Sequence, residues 1–479
     1  MRKESIKNIA LALLIVSSVV LTLNIWSEKK LWSEGYNFFS DIKQKIINVT
    51  GKNTTASGSL SKEKLALPKT LIINNPPKRG VYYTSSPEYD KMITDIKDGL
   101  ISALESEQIE ESSKEEWNGA ISSKSVYVSY PVVYDTDIIK DIMGTGKSDL
   151  GVKTVKNFVI AKAASANDFF VYIKGGNTEE YKKCKIDFDK KTFDLITEKY
   201  AVNSSGLLPF SFELNFDKRA ADASHQKLII DPYVSLSITN TYHKTIEAQN
   251  PIYDENTQTY SSEKIDAILK KFLFNSITAK KYTQSDGSVV YVENYGTIKI
   301  FPTGLVEYKA IAADKGVELS SSENMNFKKT FTSALNFTTD LWNSVMPESD
   351  MILGVSSDII NSGSKVFRLE MNSYYDGVII RDDIEKTQLH DEMNNALELV
   401  IKNGRIISYR QIFKTYSEDK NVIENISTIS ALDVLFGDDK FNSNDTVKDI
   451  YPAYTFDSNV CKMSWVIKNQ NNKTSLLKN

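Results

Sequence analysis

The sequence predicts an α+β protein in which a single N-terminal transmembrane helix precedes a multi-domain extracellular region of antiparallel hairpins and meanders packed by helices. Three observations lead to this prediction. An uncharged apolar run lies near the start of the chain, turn dipeptides separate short strand-like segments, and apolar residues recur at helical spacing between them. The chain of 479 residues, with 41% hydrophobic and 25% charged side chains, is typical of a folded protein with about two to four domains.

The first predicted element is a membrane anchor at residues 9–26. These 18 residues carry no charge, and a helix of that length with a rise of about 1.5 Å per residue reaches about 27 Å. The hydrocarbon core of a bilayer is about 30 Å thick, so the helix can span it. A cleaved signal peptide is the alternative, but its shorter apolar region ends at small side chains, whereas this run ends in Asn24-Ile25-Trp26. We therefore favour an uncleaved anchor.

Basic residues set the expected orientation of the anchor. Arg2, Lys3 and Lys7 precede it, and Lys and Arg beside a spanning helix remain on the cytoplasmic side. We expect residues 1–8 to be a cytoplasmic tail and the bulk of the chain to lie outside the cell membrane, because no second run is long enough to cross. Residues 27–64 are predicted to be a juxtamembrane segment and a flexible tether, since they include the aperiodic stretch GKNTTASGSLSKEK.

Three extracellular units are predicted: an N-terminal mixed α/β domain at residues 65–204, a middle domain at 205–318 and a C-terminal domain at 319–479. In the first unit, apolar residues at helical spacing predict a helix over Tyr89–Ser106. Its predicted strands are Thr70–Ile73, Val81–Thr84, Ser125–Tyr134, Asn157–Ala163, Phe169–Lys174 and Cys184–Phe188.

The middle and C-terminal units share a pattern of elements. An amphipathic helix over Ser261–Phe274 is predicted to precede a four-stranded meander made of Ala279–Gln284, Val289–Glu293, Thr297–Phe301 and Leu305–Ala310. Turn signals at Asp286-Gly287 and Asn403-Gly404 predict hairpins in both units. We assign the stretch Thr428–Phe436 as the helix of the last unit. The shared pattern suggests that the two units are a diverged duplication.

Several fragments resemble catalytic or metal-binding motifs without completing them. Gly144 to Ser148 ends like a phosphate-binding loop, but Asp141 replaces a glycine of that motif, and a carboxylate there would repel phosphate. The Ser-x-x-Lys pairs Ser59/Lys62 and Ser362/Lys365 lack supporting motifs. The three histidines are scattered and are interpreted as surface or turn residues, namely His225, His243 and His390. The acidic stretch 438–445 lacks the Gly and Glu of a calcium loop. We predict no catalytic residues, no metal and no cofactor.

Charge and cysteine content exclude further classes. The net charge is −4 and no basic stripe recurs, so a nucleic-acid partner is not expected. Only Cys184 and Cys461 are present, which cannot build the disulfide framework of a small secreted domain. A single disulfide between them stays open, but two buried free thiols are the favoured interpretation.

Three blocks of sequence resemble one family, in the family's own order. These blocks are SIKNIALALLIVSSVVLTLNIW, DGSVVYVENYGTIKIFPTGLVEYKA and NGRIISYRQIF. They are similar to the anchor, the hairpin module and the closing strand of the YycH family, the membrane-anchored accessory proteins of the WalK (YycG) sensor histidine kinase in Gram-positive bacteria. The family-like residues are Asp286, Gly287, Gly304, Glu307, Tyr308, Asn403, Gly404, Tyr409 and Arg410. Residues 65–204 match the family only loosely.

The resemblance implies a protein that is not an enzyme and that tunes the kinase together with a YycI-like protein. Within the predicted anchor, Ala10, Ser17 and Asn24 recur every seven residues, and Ser18 and Thr22 lie on an adjacent strip. Small and polar side chains favour packing between helices in lipid, so these five are candidate contacts with a partner helix. The alternative is that Ser and Thr bond to their own backbone and Asn24 reaches the headgroups.

Two other functions remain open from sequence alone. An extracytoplasmic enzyme acting on cell-wall polymer is one, because acidic residues distant in sequence can pair in space. A passive membrane-anchored scaffold is the other. A homodimer is left open as well.

Overall fold

The structure is a computed structural model that describes residues 67–84, 86–145, 151–163, 168–176, 180–217, 229–319, 326–349, 351–382, 387–436, 446–457, 460–470 and 474–478. The predicted anchor at 9–26, its five candidate helix contacts, the tether, His225 and the acidic stretch 438–445 lie outside these ranges. Within them, no helix combines the length and apolarity required to cross a bilayer.

Seven α-helices lie in the described ranges: α1 Tyr89–Glu105, α2 Lys114–Ser122, α3 Thr136–Met143, α4 Lys190–Tyr200, α5 Ser262–Lys271, α6 Phe327–Val345 and α7 Thr428–Phe436. The strands of the first half are β1 Thr70–Asn75, β2 Lys78–Tyr83, β3 Ile109–Glu111, β4 Ser125–Asp135, β5 Thr154–Lys162, β6 Phe169–Lys174, β7 Tyr181–Ile186, β8 Asn203–Ser204, β9 Ile229–Ile230, β10 Thr241–Gln249, β11 Tyr253–Asp254 and β12 Thr259–Tyr260. Those of the second half are β13 Lys280–Thr283, β14 Val289–Glu293, β15 Gly296–Ile300, β16 Leu305–Ala310, β17 Val317–Glu318, β18 Leu353–Val355, β19 Val366–Tyr375, β20 Val378–Arg381, β21 Leu397–Lys402, β22 Arg405–Ile412, β23 Thr415–Asn425, β24 Thr446–Asp457, β25 Val460–Asn469 and β26 Thr474–Lys478. The mixed α+β class with mostly antiparallel sheets is confirmed, and β20 and β9 each pair with β24 in parallel.

The first sheet has the strand order β3-β7-β6-β5-β4-β1-β2-β8, and every pair in it is antiparallel. Alternate residues of a strand face opposite sides, so Leu71 and Ile73 pack with α1 and α4 while Ile72 packs with Trp117 of α2. Helices therefore cover both faces of this sheet. The hairpin predicted between Phe169–Lys174 and the Cys184 strand is present as the antiparallel pair β6–β7.

The second sheet is longer and runs through both later parts of the chain. Its order is β13-β14-β15-β16-β22-β21-β19-β20-β24-β25-β10-β23. The predicted meander is present as β13 to β16, and its neighbour across the sheet is β22 from more than ninety residues later in the chain. The sheet is thus continuous across residue 318, where the sequence predicted a boundary between two units.

The two parts on either side of the β16–β22 pair have related architectures. In one, α5 precedes β13 to β16, and in the other α6 precedes β19 to β22. The last strand of each part pairs with the last strand of the other, and their helices pack together through the Phe272 and Phe337 rings, whose centroids are 5.4 Å apart. The duplication stays a prediction that this arrangement fits.

The assignment of the adjoining helix in the last unit was wrong. Thr428–Phe436 is helical, as predicted, but this helix packs on a separate core that includes Val447, Trp465 and Ile467 of β24 and β25. The helix that corresponds to α5 is α6. Its sequence, FKKTFTSALNFTTDLWNSV, is rich in Phe and Thr, which favour strands over helices when judged locally.

The two sheets meet at a polar contact, called here the inter-sheet contact. Lys69, just before β1, pairs with Asp449 of β24 at 2.6 Å. Backbone bonds join β4 to a loop of the later part, since Ile359 N donates to Val133 O at 2.8 Å and Asp135 N donates to Ile359 O at 2.6 Å. One apolar core also extends from the first sheet into the second.

Candidate functional site

The β16–β22 pair brings four family-like residues together. The register places Glu307 opposite Arg410 and Tyr308 opposite Tyr409. Because successive strand residues face opposite sides, the two charged side chains share one face of the sheet and the two tyrosines share the other. The sequence placed these residues in separate blocks, and the fold brings the blocks into contact. We call Glu307, Arg410 and the loop residues that contact them the charged seam.

The centre of the charged seam is a buried ion pair. Arg410 Nε donates to Glu307 Oε1 at 2.9 Å, and the side chains are 2% and 0% exposed. Removing two charges from water costs several kcal/mol per ion, which is recovered only with close geometry and further hydrogen bonds. The neighbouring loop supplies such bonds.

The loop from Thr387 to Asp391 covers the ion pair. The Thr387 hydroxyl lies 2.9 Å from both oxygens of Glu307, and it accepts a bond from the backbone N–H of His390 at 3.1 Å. Arg410 also donates to the carbonyl of Asp391. The seam therefore ties this loop to two strands that are about a hundred residues apart in sequence.

His390 lies in a loop, as the turn interpretation predicted, but its side chain is part of the charged seam and does not project into solvent. Its side chain is 9% exposed, Nδ1 lies 3.5 Å from Glu307 Oε1, and Nε2 lies 2.8 Å from the Ser408 hydroxyl. His243, in contrast, lies on β10 with its ring 3.0 Å from the Thr241 hydroxyl.

Aromatic rings fill the opposite face of the sheet beneath the seam. Tyr308 stacks on Phe272 of α5 with ring centroids 4.7 Å apart, and Tyr409 contacts Phe337 of α6 at 5.9 Å. Burial raises the pKa of Tyr308 to about 12 and raises that of Tyr409 well above its usual value. Both phenols therefore stay neutral and act as packing groups between the helices and the sheet.

The family-like glycines shape turns beside these strands. Gly304 has a φ of +86°, and a Cβ there would lie 2.6 Å from the carbonyl oxygen of Phe413. Asn403 and Gly404 both have positive φ, at 50° and 72°, as a two-residue hairpin turn of this type requires. Gly287 follows Asp286, whose carboxylate is 3.1 Å from Lys299 Nζ. Gly304 and Asn403-Gly404 thus directly precede β16 and β22, the strands that carry the seam, whereas Asp286-Gly287 precedes β14.

The geometry of the seam favours holding strands in register over acid–base chemistry. The Glu307 carboxylate is already bound by Arg410 and Thr387 and is buried away from water, whereas a general base must reach a substrate proton. Within the ranges described, no group of three His, Cys, Asp or Glu side chains is arranged to hold a metal ion.

The remaining sequence candidates are dispersed. Gly144 ends α3 in the left-handed conformation, with φ of 78°. Ser362 and Lys365 lie in an exposed segment before β19. Cys184 and Cys461 are free and buried, and burial raises the pKa of each thiol to about 12. The favoured interpretation of two unpaired thiols is confirmed.

Sequence reasoning missed the covering loop and the inter-sheet contact. Thr387 and His390 reach Glu307 over some eighty residues of sequence, and no local pattern marks such a contact. A signal was available for Glu307 itself, because a carboxylate within an apolar strand that folds into a core needs a cationic partner.

Comparison with known proteins identifies the fold. No protein-family model and no curated protein sequence matches the chain. The crystal structure of YycH from Bacillus subtilis is similar over 88% of this chain and 98% of its own, with a TM-score of 0.58 and 11% sequence identity. The C-terminal domain of YpeB from Bacillus megaterium matches over 47% of this chain and 98% of its own, with a TM-score of 0.24 and 12% identity. The resemblance noted in the sequence is thus confirmed as a likeness of fold, and the chain is a YycH-like protein in its architecture.

Proposed function

We propose that this chain is a membrane-anchored accessory regulator of a WalK/YycG-type sensor histidine kinase, acting with a YycI-like protein. The observation that carries the proposal is the YycH-like fold over 88% of the chain. The three sequence blocks are a separate line of support, because they resemble the family in sequence. One of them is the anchor region, which lies outside the described residues. In this role the chain regulates by contact and catalyses no reaction of its own.

The nature of the charged seam agrees with a regulatory role. Its carboxylate and guanidinium bind each other and join two paired strands, and the His390 ring lies 3.5 Å from the carboxylate. A hydrolase acting on wall polymer needs two accessible carboxylates at a separation suited to attack on a glycosidic bond. Glu307, the most deeply buried carboxylate of the family-like residues, is shielded by the loop that begins at Thr387.

The contacts with the kinase are proposed to include the anchor helix. Ser17 and Asn24 lie seven residues apart and so near one face of a helix, together with Ala10. In lipid, helices associate through close packing and interhelical hydrogen bonds, which small and polar side chains allow. Ser18 and Thr22 extend this proposed face.

Affinity purification of the tagged full chain from detergent-solubilised membranes tests the proposal. We expect a histidine kinase and a YycI-like protein to be recovered with it. Recovery of neither, combined with release of fragments from wall polymer by the purified full chain, would support an envelope enzyme and overturn the regulatory role.

Crosslinking in membranes tests the helix contacts separately. The double variant Ser17→Leu with Asn24→Leu should crosslink to the kinase several-fold less than the native chain. Val16→Leu with Leu23→Ile is the matched control, because these positions are also seven residues apart but lie away from both strips of the proposed face. Equal loss in both double variants would show that the effect is not specific to the proposed face.

A further inference from the structure

Three aliphatic side chains project into solvent at one end of the meander. Leu273, Ile277 and Ile311 are 68%, 91% and 71% exposed. Single exposed apolar residues are common in folded proteins, but a group at one place marks an interaction surface. We call these three residues the apolar tip.

Hydrogen bonds hold the tip residues at the same place. Tyr295, in the turn between β14 and β15, donates through its hydroxyl to the carbonyl of Leu273 at 2.6 Å. The backbone N–H of Ile311 donates to the carbonyl of Tyr295 at 3.0 Å. Leu273 follows the end of α5 and Ile311 follows β16, so one tyrosine joins two parts of the tip.

The segment that carries Ile277 is an ordered turn. The Asn275 side-chain oxygen accepts from the Ile277 N–H at 2.9 Å, and the backbone carbonyl of Asn275 accepts from the Ala279 N–H at 2.9 Å. Phe274 points the other way and packs on the Tyr295 ring, with centroids 5.2 Å apart. The turn therefore buries Phe274 while it presents Leu273 and Ile277 to solvent.

Lysine side chains surround the tip. Lys270, Lys280 and Lys281 are exposed, and none of the three forms an ion pair with another described residue. Asp340 pairs with Lys271 at 3.1 Å and Asp314 with Lys315 at 3.9 Å. Glu293, two residues before Tyr295, adds one negative charge beside the turn, and the three lysines outnumber it, so the surface around the tip is positively charged on balance.

The combination of aliphatic and lysine side chains fits one kind of partner. The cores of protein interfaces are enriched in aromatic residues and arginine and depleted in lysine. Lysines around exposed Leu and Ile are instead typical of protein surfaces that bind a bilayer. The apolar side chains insert as far as the acyl boundary, and the lysines interact with anionic headgroups. We propose that the apolar tip docks on a membrane surface that contains anionic lipid. This inference goes beyond the proposed kinase role and does not depend on it.

Quenching of a fluorescent probe by lipid tests the docking. The probe is attached to the full chain through Ser276→Cys, an exposed and nearly isosteric change beside Ile277, and the native thiols are buried and compete little for the reagent. The chain is reconstituted in phosphatidylcholine vesicles with or without phosphatidylglycerol, in which acyl chains carry a quencher. The matched control is Ser122→Cys, an exposed serine of α2 on the first sheet.

Docking predicts strong quenching at position 276 in vesicles with phosphatidylglycerol, and little at position 122 in either vesicle. Ile277→Glu should abolish quenching at 276. The double variant Lys280→Glu, Lys281→Glu should weaken quenching only in anionic vesicles, because the affinity for the anionic surface should fall by about fivefold per lysine. Equal quenching at 276 and 122 would overturn the proposal. The proposal would also be overturned if the probe at 276 became shielded from solvent only at a high density of chains in the vesicle, because a second copy of the chain would then be the occupant.

Discussion

Two ion pairs join distant parts of this chain, and they differ in how much water reaches them. In the charged seam, Glu307 and Arg410 are fully buried between paired strands and a covering loop. In the inter-sheet contact, the Lys69 and Asp449 side chains are 19% and 33% exposed, although their atoms are as close, at 2.6 Å. Water screens the second pair and is excluded from the first, so similar distances imply different energies.

The difference in burial indicates which of the two ion pairs is more sensitive to the loss of one charge. Loss of one partner in the seam leaves a buried charge without compensation, whereas loss of one partner in the inter-sheet contact leaves a charge that water can solvate. We therefore expect the second sheet to tolerate the loss of one seam charge poorly and the inter-sheet contact to tolerate such a loss better. Mutations that remove one charge at each place measure this difference.

The largest effect is expected at the seam. Arg410→Met leaves the Glu307 carboxylate buried without its cation and should lower the free energy of unfolding by about 3–5 kcal/mol, measured by denaturant titration. Arg405→Met is the matched control on the same strand, because Arg405 pairs with Glu318 in a more exposed setting. The control should cost about 1 kcal/mol or less.

A second variant separates charge burial from simple loss of contacts at the seam. Glu307→Leu combined with Arg410→Met removes both charges and should be less destabilising than Arg410→Met alone, since no unpaired ion remains. Additive losses in the double variant would argue against an uncompensated buried charge as the cause.

Gly304 should show the next largest effect. Gly304→Ala introduces a Cβ 2.6 Å from the Phe413 carbonyl and forces alanine into a positive φ, so we expect a loss of about 2–3 kcal/mol in thermal or denaturant unfolding. Gly363→Ala is the control, because Gly363 also has a positive φ of 69° but open space around it. Gly363→Ala should lower the free energy of unfolding by about 1 kcal/mol, which measures the cost of the positive φ without a steric clash.

At the inter-sheet contact the expected loss is smaller. Lys69→Met should lower the free energy of unfolding by about 1 kcal/mol or less, because the pair is partly hydrated. Burial would raise the pKa of Asp449, but the charge and hydrogen bond of Lys69, together with the charges of Lys156 and Lys468, outweigh it and hold that pKa below its usual value. The carboxylate's contribution is thus present above the pKa of about 3.9 of an unfolded Asp and is lost as the pH falls through the lower folded pKa. In Lys69→Met this acid dependence should be weaker.

The smallest effect is expected from Lys156, beside the inter-sheet contact. Desolvation lowers the pKa of this lysine to about 8, and its amine donates to the carbonyl of Pro131 at 2.8 Å. An unfolded lysine has a pKa of about 10.4, so between these values only the unfolded chain holds the proton and stability rises with pH. Lys156 is half-buried, and water limits the rise to about 1 kcal/mol or less. Denaturant titrations at pH 7 and pH 10 should show this rise in the free energy of unfolding for the native chain and not for Lys156→Met. Identical pH dependence in the two proteins would contradict the prediction.

The sequence predicted elements best where the local pattern and the final packing agree. The helix over Tyr89–Ser106 ends one residue earlier in the structure, and Thr428–Phe436 has the predicted bounds. The Asp286-Gly287 and Asn403-Gly404 turns lie where they were expected, because Gly287, Asn403 and Gly404 have a positive φ, which Gly and Asn adopt more readily than other residues. Elements such as α6 escaped prediction because tertiary packing decides their state.

The candidate site was less predictable than the fold. Glu307 and Arg410 were named through the family resemblance, but their pairing depends on strands that meet over a long separation in sequence. His390 lies in a loop without periodicity, and its contact with Glu307 follows only from the folded chain. Pairings of this kind have no local sequence pattern, because they form only when distant segments meet in the folded chain.

The autophosphorylation rate of the WalK/YycG-type kinase, reconstituted in vesicles with and without the full chain, tests the proposed regulatory role most directly. We predict a several-fold change in that rate when the native chain is present, and a smaller change with the double variant Ser17→Leu, Asn24→Leu. A rate that is the same with and without the native chain, while the chain is present in the same vesicles, would contradict the account.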